Sequence, residues 1–259
     1  MSLPGFSQIS FSSNNDTRTV YRKGSGPGVV IMHEIPGITP EVRQFAERVA
    51  DAGFTVFMPH LFGEPEKPFS NGYVLQQSFR ACISKEFHLL ASRGSSPLTV
   101  WLRALCRMVH AEVGGKGVGA LGMCITGNFA LALMVDEEVM APVLSQPSLP
   151  LPIGKERRAG LHLSDKDLAT VKRRVSQGAK VLGLRFTHDP LCRKEGFDHL
   201  RAELGDGFES IEIDSSPDNR WGHPRDAHSV LTRHLIDEEG QPTRAALDRV
   251  LGFFKERLL

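Results

Sequence analysis

The sequence predicts an α/β fold, a mainly parallel central sheet with helices on both faces, in a single domain spanning residues 1–259. Three observations carry this expectation. Short apolar, β-branched runs alternate with longer amphipathic segments along most of the chain, the pattern of strands joined by helical crossovers. The strand-like runs are almost wholly apolar, as strands buried on both faces require. With 41% hydrophobic residues in a chain of 259, one sizeable core can close without splitting the molecule.

In chain order, Ser7 to Phe11 and Thr17 to Arg22, separated by Ser12-Ser13-Asn14-Asn15-Asp16, predict an antiparallel hairpin on the sheet edge, about residues 7–22. Gly28 to Met32 reads as a buried strand, Thr39 to Ala52 as a helix with Pro40 in its first turn, and Phe54 to Met58 as the next strand. Pro97 to Val113 has Leu98, Trp101, Leu102, Leu105 and Val109 on one helical face. Val118 to Met123 is a strand and Thr126 to Val135 a helix; Lys180 to Phe186, Lys194 to Leu204, Phe208 to Ile213 and Ala245 to Leu258 add strand, helix, strand and helix. Three stretches, Pro59 to Ser78, Gln146 to Leu163 and Asp214 to Ala227, read as irregular and are long for connections. In such a sheet the functional residues are expected at the carboxyl ends of the strands.

Lys+Arg 31 against Asp+Glu 30 gives a formal net charge of +1, so no global field draws the protein to nucleic acid or a membrane surface, and the expected partner is a small molecule. Met1-Ser2-Leu3-Pro4-Gly5 has no basic region followed by an apolar one, and no stretch approaches the roughly 20 apolar residues of a membrane span. A cytoplasmic protein is expected. The four cysteines, Cys82, Cys106, Cys124 and Cys192, are too sparse and irregular for a disulfide framework and are expected to be reduced. There is no Cys-x-x-Cys, and His33-Glu34 lacks the second histidine of a zinc-protease helix, so no metal or other cofactor is expected.

Gly122-Met123-Cys124-Ile125-Thr126-Gly127 falls where a strand ends and a helix begins, the sharp turn that lifts a nucleophile off a sheet edge. Backbone N–H groups at the start of the following helix favour a thiolate there. Cys106 lies mid-helix, and Cys82 and Cys192 have no comparable turn, so these three read as packing or incidental. A literal Gly-x-Gly-x-x-Gly at Gly117, Gly119 and Gly122 is not a dinucleotide fingerprint, because its glycines fall within the predicted strand instead of opening a helix.

The segments Met32-His33-Glu34-Ile35-Pro36-Gly37-Ile38, Gly119-Ala120-Leu121-Gly122-Met123-Cys124, Thr187-His188-Asp189 and Ala227-His228-Ser229 come in an order that resembles the dienelactone hydrolase family, over about Gly28 to Leu258. The resemblance implies an α/β-hydrolase fold and hydrolysis of a small ester or enol lactone through an acyl-cysteine, without a cofactor. It also implies that Glu34 holds the thiol neutral at rest and swings away when substrate binds, and that the backbone N–H groups of Ile125 and Ile35 form the oxyanion hole. The order Cys124, Asp189, His228 matches the nucleophile, acid, histidine order of α/β-hydrolases. Asp189 follows a predicted strand and would orient the base; His228 lies in the loop after Phe208 to Ile213, with His223 as its rival. Arg80 and Arg233 are candidates for binding a substrate carboxylate in bidentate fashion.

The chain departs from the family pattern at Thr126, where a glycine is usual, in the long segment holding Pro217, Trp221, His223 and Pro224, and in its arginines, which do not align one for one. Alternatives are a broad carboxylesterase or thioesterase on the same machinery, or a non-catalytic small-molecule-binding member of the fold, which Thr126 favours.

Overall fold

The computed structural model describes residues 2–83, 96–148, 161 and 163–259, with residues 79–83 described by backbone alone. Its strands form one eight-stranded sheet: β1 (Ser7–Ser13), β2 (Asp16–Gly24), β3 (Gly28–Met32), β4 (Thr55–Pro59), β5 (Val118–Met123), β6 (Val139–Ser145), β7 (Val181–Phe186) and β8 (Phe208–Ile213), in the spatial order β1-β2-β4-β3-β5-β6-β7-β8. β2 runs antiparallel to both β1 and β4; from β4 to β8 every pairing is parallel. Among the described residues the α-helices are α1 (Pro40–Asp51), α2 (Asn71–Ile83), α3 (Pro97–Val113), α4 (Gly127–Leu133), α5 (Asp165–Ser176), α6 (Lys194–Leu204) and α7 (Pro242–Leu258). This is an α/β-hydrolase fold.

Alternate residues of the central strands feed two cores, as side chains of period two must. Val30, Met32, Val118 and Ala120 face the core shared with Trp101 and Leu105 of α3, Phe129 of α4 and Phe197 of α6. Val29, Ile31, Leu121 and Met123 face the opposite core, with Phe45 and Val49 of α1 and Val250 and Phe254 of α7. Gly119 has no side chain because a Cβ there would lie 2.9 Å from the Phe254 ring.

The hairpin is tighter than the sequence reading: its strands reach Ser13 and Asp16, leaving a two-residue turn of Asn14 and Asn15 at φ 51° and 61°. Both central residues of such a turn need positive φ, which asparagine tolerates. Trp101, fully buried on α3, pins the hairpin by donating from Nε1 to the Asp16 carbonyl (3.1 Å), with the Phe11 ring edge-on at 5.2 Å.

The helix starts follow from local chemistry. Thr39 and Ser96 cap α1 and α3 by accepting from Val42 N and Thr99 N, each with proline in the first turn. Pro likewise opens α7 at residue 242, three residues before the predicted start. The hydrophobic pattern predicts neither β6, whose apolar run is broken by Pro142, nor α5, whose sequence DKDLATVKRRVS is largely polar. The stretch read as irregular after Pro59 contains the start of α2, and the helix expected at Thr126 begins as a 3₁₀ turn, Cys124–Thr126. Among the described residues no helix is long and apolar enough to cross a membrane.

Candidate active site

The carboxyl ends of β3, β5, β6, β7 and the segment after β8 deliver Glu34, Cys124, Gln146, Asp189 and His228 to one side of the sheet. At the elbow, Cys124 stands at φ +55°, a left-handed conformation rarely adopted by side-chain-bearing residues outside tight turns. Such a turn closes only if its flanks are bare: a Cβ on Gly122 would lie 2.2 Å from the Thr126 carbonyl oxygen, and one on Gly127 would lie 2.7 Å from Pro147 Cα.

Thr126, the departure from the family pattern, is well housed. Its backbone is right-handed (φ −86°, ψ −10°) and so makes no demand for glycine. Its buried hydroxyl accepts from Met123 N (2.9 Å) and has the carbonyls of Met32 and Met123 within 2.8 Å for its own proton. The elbow is thereby tied to the end of β3.

Cys124 is 9% exposed and lines a cavity of about 450 Å³ together with Ile35, Ile125, Ser148, His228 and Arg233. His228 Nδ1 lies 2.6 Å from Asp189 Oδ2, and Asp189, its side chain fully buried, also accepts at Oδ1 from Leu191 N (2.8 Å). His228 Nε2 is buried without a hydrogen bond of normal geometry, although the Cys124 sulfur lies within electrostatic reach. Burial works against a charged imidazole, but the charge of Cys124 and the bond to Asp189 outweigh it and hold the His228 pKa well above its ordinary value.

His223 does not join this group. It sits edge-on to Phe186 at 5.0 Å with both ring nitrogens buried and unbonded, and burial lowers its pKa despite the charge of Asp214. His33 accepts from Leu61 N at Nε2 (3.1 Å), so its Nδ1 carries the proton and donates to the Glu34 carbonyl (3.1 Å); burial pushes its pKa down to about 3. It is a neutral brace between the loops after β3 and β4.

Glu34 is buried, and its carboxylate is bonded to groups other than the thiol. Its Oε2 accepts from Ser229 Oγ (2.7 Å) and Gln146 Nε2 (3.1 Å), and its Oε1 accepts from the Thr232 hydroxyl. The thiol's neighbour is instead Ser148, with Oγ 3.2 Å from Sγ. Arg233 is exposed at the cavity wall, its guanidinium 3.7 Å from the centre of the Phe69 ring. Arg80 falls in α2, where its side chain lies outside the described residues, as does that of Cys82. Cys106 and Cys192 are buried, and burial raises the pKa of each thiol.

Three residues of the site escape the sequence reading. Ser148 and Gln146 follow β6, a strand the hydrophobic pattern does not predict; finding it would have flagged Ser145-Gln146-Pro147-Ser148 as a strand end facing the site. His234 accepts at Nδ1 from both His228 N and Ser229 N (3.1 Å each), and burial helped by the Arg233 charge lowers its pKa to about 4. A second histidine six residues beyond the first was its one signal.

The family model for the dienelactone hydrolase family matches residues 16–258. The chain belongs to the dienelactone hydrolase family. Among curated proteins, it is 25% identical over 191 residues to a Saccharomyces cerevisiae protein named "Putative carboxymethylenebutenolidase", covering 72% of this chain and 66% of that protein's length. Among solved structures, the dienelactone hydrolase of Anabaena variabilis superposes with a TM-score of 0.62 at 17% identity, covering all of both chains. A dienelactone hydrolase-like promiscuous phosphotriesterase from metagenomic libraries superposes with a TM-score of 0.66 at 16% identity, covering 98% of each. At these identities the structural likeness speaks for the fold, and membership of the dienelactone hydrolase family for a hydrolase of ester or lactone type.

Proposed function

We propose that the chain, acting as a single domain, hydrolyses a small ester or enol lactone through an acyl-cysteine intermediate, with Cys124 as nucleophile, His228 as base and Asp189 orienting the base. The observation that carries this reading is the cysteine at φ +55°, facing the same cavity as a histidine held 2.6 Å from a buried carboxylate. His228 would take the thiol proton, and the thiolate would attack the carbonyl carbon. The developing oxyanion would be met by the N–H groups of Ile125 and Ile35, both of which belong to cavity-lining residues; loss of one such donor typically costs about 3 kcal/mol of barrier. Collapse releases the alkoxide or enolate, which takes its proton from His228, and water activated by the same imidazole then frees the acid.

The test is hydrolysis of p-nitrophenyl acetate and of a dienelactone by wild type and Cys124→Ala. Turnover that vanishes in the variant supports the cysteine mechanism, equal turnover removes Cys124 as nucleophile, and inactivity of both across an ester panel favours a binding role. A second reading, a broad carboxylesterase or thioesterase, draws support from the apolar wall of Ile35, Phe69, Val74, Ile125, Leu191 and Pro224, which asks for no particular polar substituent.

A further inference from the structure

We propose that the Ser148 hydroxyl is a working part of the nucleophile, donating a hydrogen bond to the Cys124 thiolate in the place where the family resemblance expects a glutamate. The inference rests on the reading of Cys124 as the reacting group. Ser148 Oγ lies 3.2 Å from Cys124 Sγ, and Ser148 is 5% exposed. A thiol can give or accept a hydrogen bond, but a thiolate has no hydrogen and can only accept, so in the reactive state the hydroxyl must be the donor.

Its position is fixed from three sides. Ser148 N donates to the Cys124 carbonyl (3.0 Å), Asn128 Nδ2 on α4 donates to the Ser148 carbonyl (3.1 Å), and the preceding Pro147 packs so closely on Gly127 that no Cβ fits between them. The elbow and the donor thus move as one body. Glu34, by contrast, has both carboxylate oxygens occupied by Ser229, Thr232 and Gln146, and its negative charge would oppose a thiolate that a neutral hydroxyl stabilises. As the sulfur bonds to the carbonyl carbon, its charge passes to the carbonyl oxygen and the hydroxyl is released, keeping its own proton throughout.

The charged and titratable groups around the sulfur are His228 with Asp189 behind it, His234, Arg233 and Asp226 on the same cavity wall, Glu34 bonded elsewhere, and Cys192 within electrostatic reach. Replacing Ser148 leaves all of them in place. The experiment is the pH dependence of iodoacetamide alkylation at Cys124, read by peptide mass spectrometry, for wild type, Ser148→Ala and the equally shaped pair Ser148→Thr and Ser148→Val. The alanine and valine variants are expected to move the alkylation midpoint upward by about 0.5 to 1 pH unit and to slow labelling near neutrality about three- to tenfold, with threonine close to wild type. A midpoint shared by all four proteins overturns the proposal. Turnover retained in Cys124→Ala would defeat the nucleophile reading by a separate route, because alkylation reports the thiol whether or not the enzyme turns over.

Discussion

Asp189 acts on His228 in two ways that a single substitution can separate. Its carboxylate accepts from Nδ1, which fixes the tautomer and aims Nε2 away from the carboxylate, and its charge supports the imidazolium. Asparagine keeps the shape but loses the charge and can present a donor where an acceptor is needed. Asp189→Asn is therefore expected to lower kcat about 10²- to 10⁴-fold with little change in KM, measured on any ester the wild type hydrolyses. At this scale the sequence singles out a residue where its type and its order along the chain point to a chemistry. Cys124, Asp189 and His228 were legible in that way, and the structure brings them together. Ser148, Gln146 and His234 were not: Ser148 and Gln146 take part through contacts between separate segments, Gln146 meeting Glu34 across 112 residues, and His234 only through the backbone N–H groups of His228 and Ser229, a loop contact that residue type does not signal. The place of Glu34 just after β3 was legible, but the three donors that hold its carboxylate were invisible without the fold.

The elbow is held as an element by Thr126, which joins β5 to the end of β3 through one side chain. Thr126→Val keeps the volume and removes the acceptor for the buried Met123 N–H, so the variant is expected to lose about 1–3 kcal/mol of stability, measured by urea denaturation. A value near zero would mean that water or a shifted carbonyl replaces the hydroxyl. Elements with strong apolar periodicity, such as α3 with Trp101 and Leu105 on its buried face, could be read with little error. β6 was hidden because Pro142 interrupts it, a residue normally excluded from central strands, although it pairs opposite Ala120 in the sheet. α5 was hidden by its polarity; among its residues only Val171 and Arg174 are buried.

For the whole molecule, the buried histidines set an acid limit. His33 is held near a pKa of 3 and His234 near 4 by burial, whereas an unfolded chain would protonate both around 6.5. Between these values the unfolded state binds more protons, so the contribution of these two groups is full above about pH 6.5 and falls as the pH drops. His228 acts in the opposite sense, since its raised pKa contributes stability below 6.5 that is lost as the pH rises through its elevated value. His33→Gln, which can keep a donor toward Glu34 and an acceptor toward Leu61, is expected to flatten the loss between pH 6 and 4 by up to about 1.4 kcal/mol per unit in denaturant titrations.

The bond from Trp101 to the hairpin turn also gives the protein a built-in optical probe. Of the two tryptophans in the chain, Trp101 is fully enclosed, while Trp221 is partly exposed beneath the Arg220 guanidinium, 4.2 Å away. The two indoles therefore emit from different surroundings, one dry and one wet. Detachment of the first hairpin would flood only the dry one, so a red shift in its fluorescence would register the edge of the sheet peeling away before the centre unfolds.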